Sequence, residues 1–410
     1  MKKIYITINK PFKSDRDYYF DCTVQGAQLS LSEFRRRLGS MVKGYGSLFK
    51  AVIRFGFHMD NSDIQHHEVW DSIYPLMYLT RNGGPLFQEV SPHAILKFEY
   101  PVLDSIVRFF IDRASHQGIQ LEVDAPARQI VTPFLTQGSS ISFGGGKDSR
   151  LILGILDELG RCPQVYTAYH KGIEGLSNVK TSVPYHGVLA NRFMPALMSR
   201  AEHLYFGSGL GEVANENPWH QYYDLASSFP TNDFSNLLKQ HGIETTVHVP
   251  ACILPYNIIQ KILYERYPDI YKHQYSVEPG VASEKNLHIA LLKLHHNIDF
   301  SDHCPVRLFI RLLNRFVQDQ TAAPENFGKR RVREVINREM RAIIFANQDH
   351  KLISPIKAFL PRYWHGEWIN CIHTYANPYI EPEFLNIFLD YAPELSDFYS
   401  RDTQKLMIAV

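Results

Sequence analysis

Ser142-Phe143-Gly144-Gly145-Gly146-Lys147-Asp148-Ser149-Arg150 is the stretch on which the reading of this 410-residue chain turns. It follows a short apolar, β-prone run, Ser139 to Phe143, and opens a strongly helical one. A glycine-rich turn between a strand and a helix is suited to phosphate. Glycine lets backbone N–H groups approach an anion closely, and the helix N-terminus adds a partial positive charge. After the loop, Leu151, Ile152, Ile155, Leu156 and Leu159 recur at helical spacing and form one apolar face. Asp148 or Ser149 is placed to cap that helix. Gly160 stands where a helix stop is expected, with Pro163 just beyond. Val165 to Tyr169 reads as the next strand. Strand, glycine loop, helix, strand is the opening of a parallel βαβ unit.

The loop is not of the Walker type, which needs Ser or Thr directly after the lysine; here Asp148 follows Lys147, and Ile141 stands at the first Walker glycine. Three consecutive glycines do not fit a dinucleotide fingerprint either. Phe143 to Ser149 resembles the PP-loop of the ATP pyrophosphatases, Ser-Gly-Gly-x-Asp-Ser, with Gly144 in place of the first Ser. That resemblance implies an enzyme that transfers AMP from ATP to a substrate oxygen and releases pyrophosphate, with ATP and Mg2+ as cofactors. It implies that the Gly145 and Gly146 amides and Ser149 bind phosphate oxygens and that Lys147 neutralises charge. Asp148 would hold magnesium or position the loop. Ser142, Phe143, Gly144 and Arg150 complete the nucleotide-binding stretch. Gly144 removes one hydroxyl from the pattern. A glycine-rich turn with no ligand is the competing structural reading.

A second constellation follows His203-Leu204-Tyr205-Phe206, which reads as a short strand running into Gly207-Ser208-Gly209-Leu210-Gly211-Glu212. Ligands of open parallel sheets lie beyond the carboxyl ends of the strands, so this loop is expected near the first. Gly207 and Gly209 are then nucleotide-binding candidates and Glu212 a magnesium ligand or base. Asn215, Asn217 and His220 are candidates for substrate contact. An ordinary Gly- and Asn-rich turn is the alternative. The run from Gly211 to Pro218, with His220-Gln221-Tyr222, also resembles a segment of the ATP-dependent epimerases acting on the glutamate of UDP-muramoyl dipeptide. Ser182-Val183-Pro184 and His248-Val249-Pro250 echo a further element of that branch. The clustered-cysteine segment that many PP-loop enzymes carry near the end of this domain has no counterpart here; only Cys304, in Asp302-His303-Cys304-Pro305, stands there.

Composition sets bounds on function. With 45% hydrophobic and 13% aromatic residues, the chain can build a large core and two or three domains. A net charge of +1 makes no electrostatic case for nucleic acid or a membrane surface. Five dispersed cysteines, Cys22, Cys162, Cys252, Cys304 and Cys371, form no zinc knuckle and suit a reducing, cytoplasmic compartment. The start, Met1 to Ile6, resembles a first strand rather than a signal peptide, and no segment has the length of a membrane helix.

Three parts are expected. Residues 1–135 form an N-terminal α+β region for substrate recognition, with strands at Ile4 to Ile8 and Val52 to Phe57 and a helix at Val102 to Ala114. Residues 136–320 form the PP-loop domain, by resemblance a parallel sheet of the HUP type. Residues 321–410 are helix-rich, entered through a linker at Thr321-Ala322-Ala323-Pro324. His58, Asp60, His66, His67 and Glu68 fit no standard metal spacing and read as surface groups, as do His295, His296, Asp299, Asp302 and His303. The basic run Lys329-Arg330-Arg331-Val332-Arg333, continuing to Arg338 and Arg341, reads as a solvated helix face, with a lid over ATP phosphates as its functional alternative.

The expected fold class is therefore α/β, and the expected activity is adenylation of a carboxylate or carbonyl oxygen on a small-molecule acid or peptide-like substrate, followed by amide formation or epimerisation. Two alternatives share the loop: nucleobase or tRNA modification of the thiolation or deazaguanine kind, and a non-catalytic nucleotide-binding protein. Fold alone does not separate these.

Overall fold

A computed structural model describes residues 3–26, 43–44, 50–60, 64, 66–82, 93–116, 119–128, 134–168, 173–185, 194–207, 209, 232–272, 283–322, 334–364, 366–374, 377 and 379–394. The protein is α/β with a mixed, mostly parallel sheet. Its described residues divide into two compact units. One is drawn from Met1–Gly144, Leu156–Phe206 and Pro218–His248, the other from Gly145–Ile155, Gly207–Asn217 and Val249–Val410.

The first unit holds the sheet. Its strands are β1 (Lys3–Ile8), β2 (Phe12–Lys13), β3 (Asp17–Gly26), β4 (Lys43–Gly44), β5 (Lys50–Met59), β6 (His93–Phe98), β8 (Gln120–Asp124), β10 (Ser139–Ser142), β11 (Gln164–Thr167), β12 (Val179–Pro184), β13 (His203–Phe206) and β14 (Thr246–His248). A separate short pair joins β7 (Val102–Leu103) to β9 (Ala127–Arg128). Along the sheet the order is β14-β13-β10-β11-β12-β5-β3-β1-β6-β8.

One half of this sheet comes from residues before 130. The adjacent pairs β1–β3 and β3–β5 are antiparallel, and each of the three strands alternates: Ile4, Ile6, Ile8, Tyr18, Phe20, Cys22, Val24, Phe55, Phe57 and Met59 are all buried. That period of two places one face of each strand in the core. Helix α1 (Glu68–Asn82) buries Val69, Trp70, Ile73, Tyr74 and Met77 before the chain returns parallel to β1 as β6. Helix α2 (Asp104–His116) then leads to β8, parallel to β6. The helix expected from Val102 starts two residues later, because Val102 and Leu103 pair with β9. Their N–H groups are taken by the Pro126 carbonyl and the Ser72 hydroxyl.

The other half is a five-stranded parallel array in the order β12-β11-β10-β13-β14. The strands expected at Ser139 to Phe143, Val165 to Tyr169 and His203 to Phe206 are its members β10, β11 and β13; Tyr169 itself lies outside the described residues. Strand order grows outward from β10 in one direction and then reverses to β13 on its other side. The two halves form one sheet, since β12 pairs antiparallel with β5 through Ser182–Met59, Val183–His58 and Pro184–Phe57.

Helix α3 (Lys147–Glu158) follows β10 and crosses the division between the units at residue 155. The expected core residues Leu151, Ile152, Ile155 and Leu156 are fully buried, and Gly160 ends the helix with φ +69°. The helix begins at Lys147, however, so Gly146 holds the capping position, and Asp148 and Ser149 lie in the first turn rather than at the cap. Gly146 O accepts from Arg150 N–H, which commits the backbone to helix before either polar side chain is reached.

Helix α4 (Asp233–Lys239) completes the first unit before β14. The second unit is helical: α5 (Tyr256–Glu265), α6 (Pro268–Lys272), α7 (Glu284–His295), α8 (Val306–Ala322), α9 (Glu334–Ala346) and α10 (Pro382–Leu389). Helix α7 packs on α8 and α9, and α5 on α6. Thr321 and Ala322, expected in a linker, are the last turn of α8, and Ala323-Pro324 lie outside the described residues.

Candidate functional site

The parallel array reverses direction between β10 and β13, and ligand sites of doubly wound sheets lie at such a reversal, beyond the carboxyl ends of the strands. From β10 the chain continues directly into the glycine loop and α3; from β13 it continues into Gly207. Ser142 and Phe143 are buried in the sheet unit, and Phe143 N–H extends the pairing by donating to Tyr166 O at 2.7 Å. These two residues anchor the loop through the sheet.

The glycines have different reasons to be glycine. Gly145 adopts φ +73°, a conformation that side-chain-bearing residues enter at a cost. Gly207 is required by packing: a Cβ there would lie 2.3 Å from Ser149 N and 2.4 Å from Ser149 Cα. Gly209 is required by packing too, since its Cβ would lie 2.5 Å from Tyr256 Cε1 and 3.3 Å from Asp148 Oδ1. Thus Gly207 lies against the first turn of α3, and Gly209 against Tyr256 and the Asp148 side chain. Gly146 is different. It has no positive φ, and a Cβ built on it meets nothing within 4 Å. The absence of a side chain there leaves open space at the start of α3.

Charge gathers at the same place. Lys147 Nζ lies 3.6 Å from the centre of the Tyr256 ring and 3.5 Å from each carboxylate oxygen of Asp148. Both side chains are largely covered, at 18% and 13% exposure. The N-terminus of a twelve-residue helix adds its own partial positive charge. Ser149 is buried, and its hydroxyl donates to Gly146 O at 3.2 Å. Arg150 is only 1% exposed and donates to the Ile270 carbonyl at 3.4 Å, so its guanidinium joins α3 to α6 within the helical unit.

Among the expected site residues, Ser142 to Arg150, Gly207 and Gly209 are thus placed. Glu212, Asn215, Asn217 and His220 lie outside the described residues, as does the basic run from Lys329 to Arg333. Arg341, expected on a solvated face, is instead buried, on a helix that packs against α7.

Several members of the histidine clusters have their own partners, and His67 and His303, expected at the surface, are buried by the packing around them. His58 contacts Asp17 at 3.0 Å, His66 the Ser14 carbonyl at 2.7 Å, and Glu68 pairs with Arg128. His295 contacts Asn347 at 2.8 Å, His296 donates to the Asn257 carbonyl at 3.1 Å, and Asp302 pairs with Lys293 at 3.3 Å. Burial, together with the neighbouring His295, pushes His296 down to about 4. Among the described residues, no group of three His, Cys, Asp or Glu side chains is arranged to hold a metal. Magnesium that enters with a nucleotide is bound by one or two carboxylates, phosphate oxygens and water, and Asp148 is the carboxylate at this loop.

Sequence reading missed a buried polar group at the start of α5. Glu339 of α9, 1% exposed, accepts from the Asn257 N–H at 2.7 Å and from His288 Nε2 at 2.9 Å. Its signal was a lone carboxylate within the apolar stripe of Ile336, Met340, Ile343 and Ile344. No protein-family model, no curated protein and no solved structure matches this chain.

Proposed function

We propose that this protein is an ATP-dependent adenylating enzyme built on a PP-loop domain of the HUP type. One observation carries the reading. The glycine loop, with open space over Gly146 and a largely covered Lys147–Asp148 pair, follows β10 in the chain and starts helix α3. Backbone amides, helix N-terminus and ammonium all favour a polyanion there.

In this reading a carboxylate or carbonyl oxygen of a small acid or peptide-like substrate attacks the α-phosphorus of ATP. The bond from that phosphorus to the oxygen bridging the β-phosphate breaks, and pyrophosphate leaves with the electron pair. Lys147 and the loop amides stabilise the charge growing on pyrophosphate. Asp148 would hold magnesium, which supplies further neutralisation of the phosphates. The loop sequence also favours this over dinucleotide chemistry, because it lacks the spaced glycines of the dinucleotide fingerprint. No helix among the described residues is long and apolar enough to cross a membrane.

Equilibrium binding of MgATP and of pyrophosphate tests the site. Wild type binds both, and Lys147→Met and Asp148→Ala weaken both while far-UV circular dichroism is unchanged. Equal binding by all three proteins removes the loop from the site.

A further inference from the structure

Tyr256, the first residue of α5, is 4% exposed and lies under the Lys147 ammonium. Its surroundings are built with care for its position. The residue before it, Pro255, offers no side-chain cap to the helix. The cap comes instead from Glu339, whose Oε1 takes the Asn257 N–H from a helix 82 residues further on. A carboxylate at a helix N-terminus is favourable both as acceptor and as charge. The other oxygen of Glu339 takes His288 Nε2, and the His288 ring meets the Tyr256 ring edge-on, with centres 5.6 Å apart at 60°. Asn257 is fixed further by Asn370 Oδ1 at 3.0 Å. Gly209, lacking a side chain, admits the ring from the second loop.

We infer that Tyr256 is a positioning residue for Lys147, and that Glu339 and His288 hold it in that role. The inference rests on the nucleotide reading above. A lysine is among the side chains that lose most rotamer freedom when fixed. A ring that already confines the ammonium removes part of that loss from the binding step. The contact also leaves N–H groups of the ammonium for phosphate oxygens. Tyr256 touches no reacting atom in this account and acts only through Lys147.

The test is a double-mutant cycle read by pyrophosphate binding, with Tyr256→Leu, Lys147→Met and the double variant, and with Tyr256→Phe as the conservative rescue. Tyr256→Leu is expected to weaken binding about tenfold, within the range of a partly desolvated cation–π pair, and Tyr256→Phe to stay within about twofold of wild type. In the Lys147→Met background the Leu substitution should cost nothing more. Wild-type or tighter binding by Tyr256→Leu overturns the inference, since the ring would then be irrelevant or a competitor for the ammonium. An equal loss in the Lys147→Met background overturns it as well, by showing a structural route.

The second readout is the NMR signal of the Lys147 ε-methylene. It should lie upfield under the ring current in wild type and return to its ordinary position in Tyr256→Leu. Should wild type bind neither ATP nor pyrophosphate, the nucleotide reading fails and the role with it. The upfield shift then reports separately whether the lysine–ring geometry exists.

Discussion

Gly207 and Gly146 should respond oppositely to the same methyl group. In Gly207→Ala the new Cβ would stand 2.3 Å from Ser149 N, 2.4 Å from Ser149 Cα and 2.7 Å from the Asp148 carbonyl carbon. Ordinary contact begins near 3.4 Å, so the overlap is about 1 Å, and the atoms in the way are helix backbone rather than a movable side-chain tip. Inserting one methyl into a packed site typically costs about 1–3 kcal/mol, and a backbone obstacle places this site near 3. In Gly146→Ala the methyl meets nothing. The lower entropy of the unfolded chain and the poorer cap nearly cancel, leaving a change within about 1 kcal/mol. The same methyl occupies the space assigned to phosphate, so MgATP binding should weaken about tenfold or more, the equivalent of roughly 1.4 kcal/mol. Urea denaturation followed by circular dichroism and titration with MgATP measure the two effects side by side. The reasoning is refuted if Gly207→Ala unfolds at the wild-type midpoint, or if Gly146→Ala binds MgATP as wild type does.

Other outcomes follow from the same structure. Glu339→Ala leaves the Asn257 and His288 donors buried without their carboxylate and should destabilise the protein by about 2–5 kcal/mol, whereas Glu339→Gln should cost less; urea midpoints separate them. Burial depresses both His296 and His373 from 6.5 to about 4. The unfolded chain therefore takes up protons that the folded one does not. Stability intact above pH 6.5 should fall as pH drops from there toward 4, by at most about 3 kcal/mol for each group. A urea midpoint that does not move between pH 7 and pH 4.5 contradicts this. Gly145→Ala forces a side chain into φ +73° and should cost about 1–2 kcal/mol, measured in the same way.

Local periodicity carried the reading of the fold furthest where neighbours in sequence are neighbours in space. The β10–α3–β11 unit was legible because the strand is short and apolar, the helix repeats its apolar face, and Gly160 stops it. The start of α3 was misplaced because capping chemistry was sought in side chains, while Gly146 performs the role with backbone. What joins Met59 to Ser182 was not legible. Those residues are more than a hundred positions apart, and alternating strands such as β5 carry no mark of which edge they will meet. The site divides in the same way. Lys147, Asp148 and the glycines announce themselves as a contiguous string. Tyr256, His288 and Glu339 come from three helices, and each alone reads as an ordinary helical residue. Only the carboxylate set in an apolar stripe hinted that a buried partner awaited it.

The central claim is that the glycine loop grips the pyrophosphate end of ATP while AMP is transferred. Product identification on incubation with MgATP and pooled carboxylic acids, with Asp148→Ala alongside, tests it most directly. The account predicts AMP and pyrophosphate, stimulated by one acid class and lost in the variant; ADP and phosphate from wild type would contradict it.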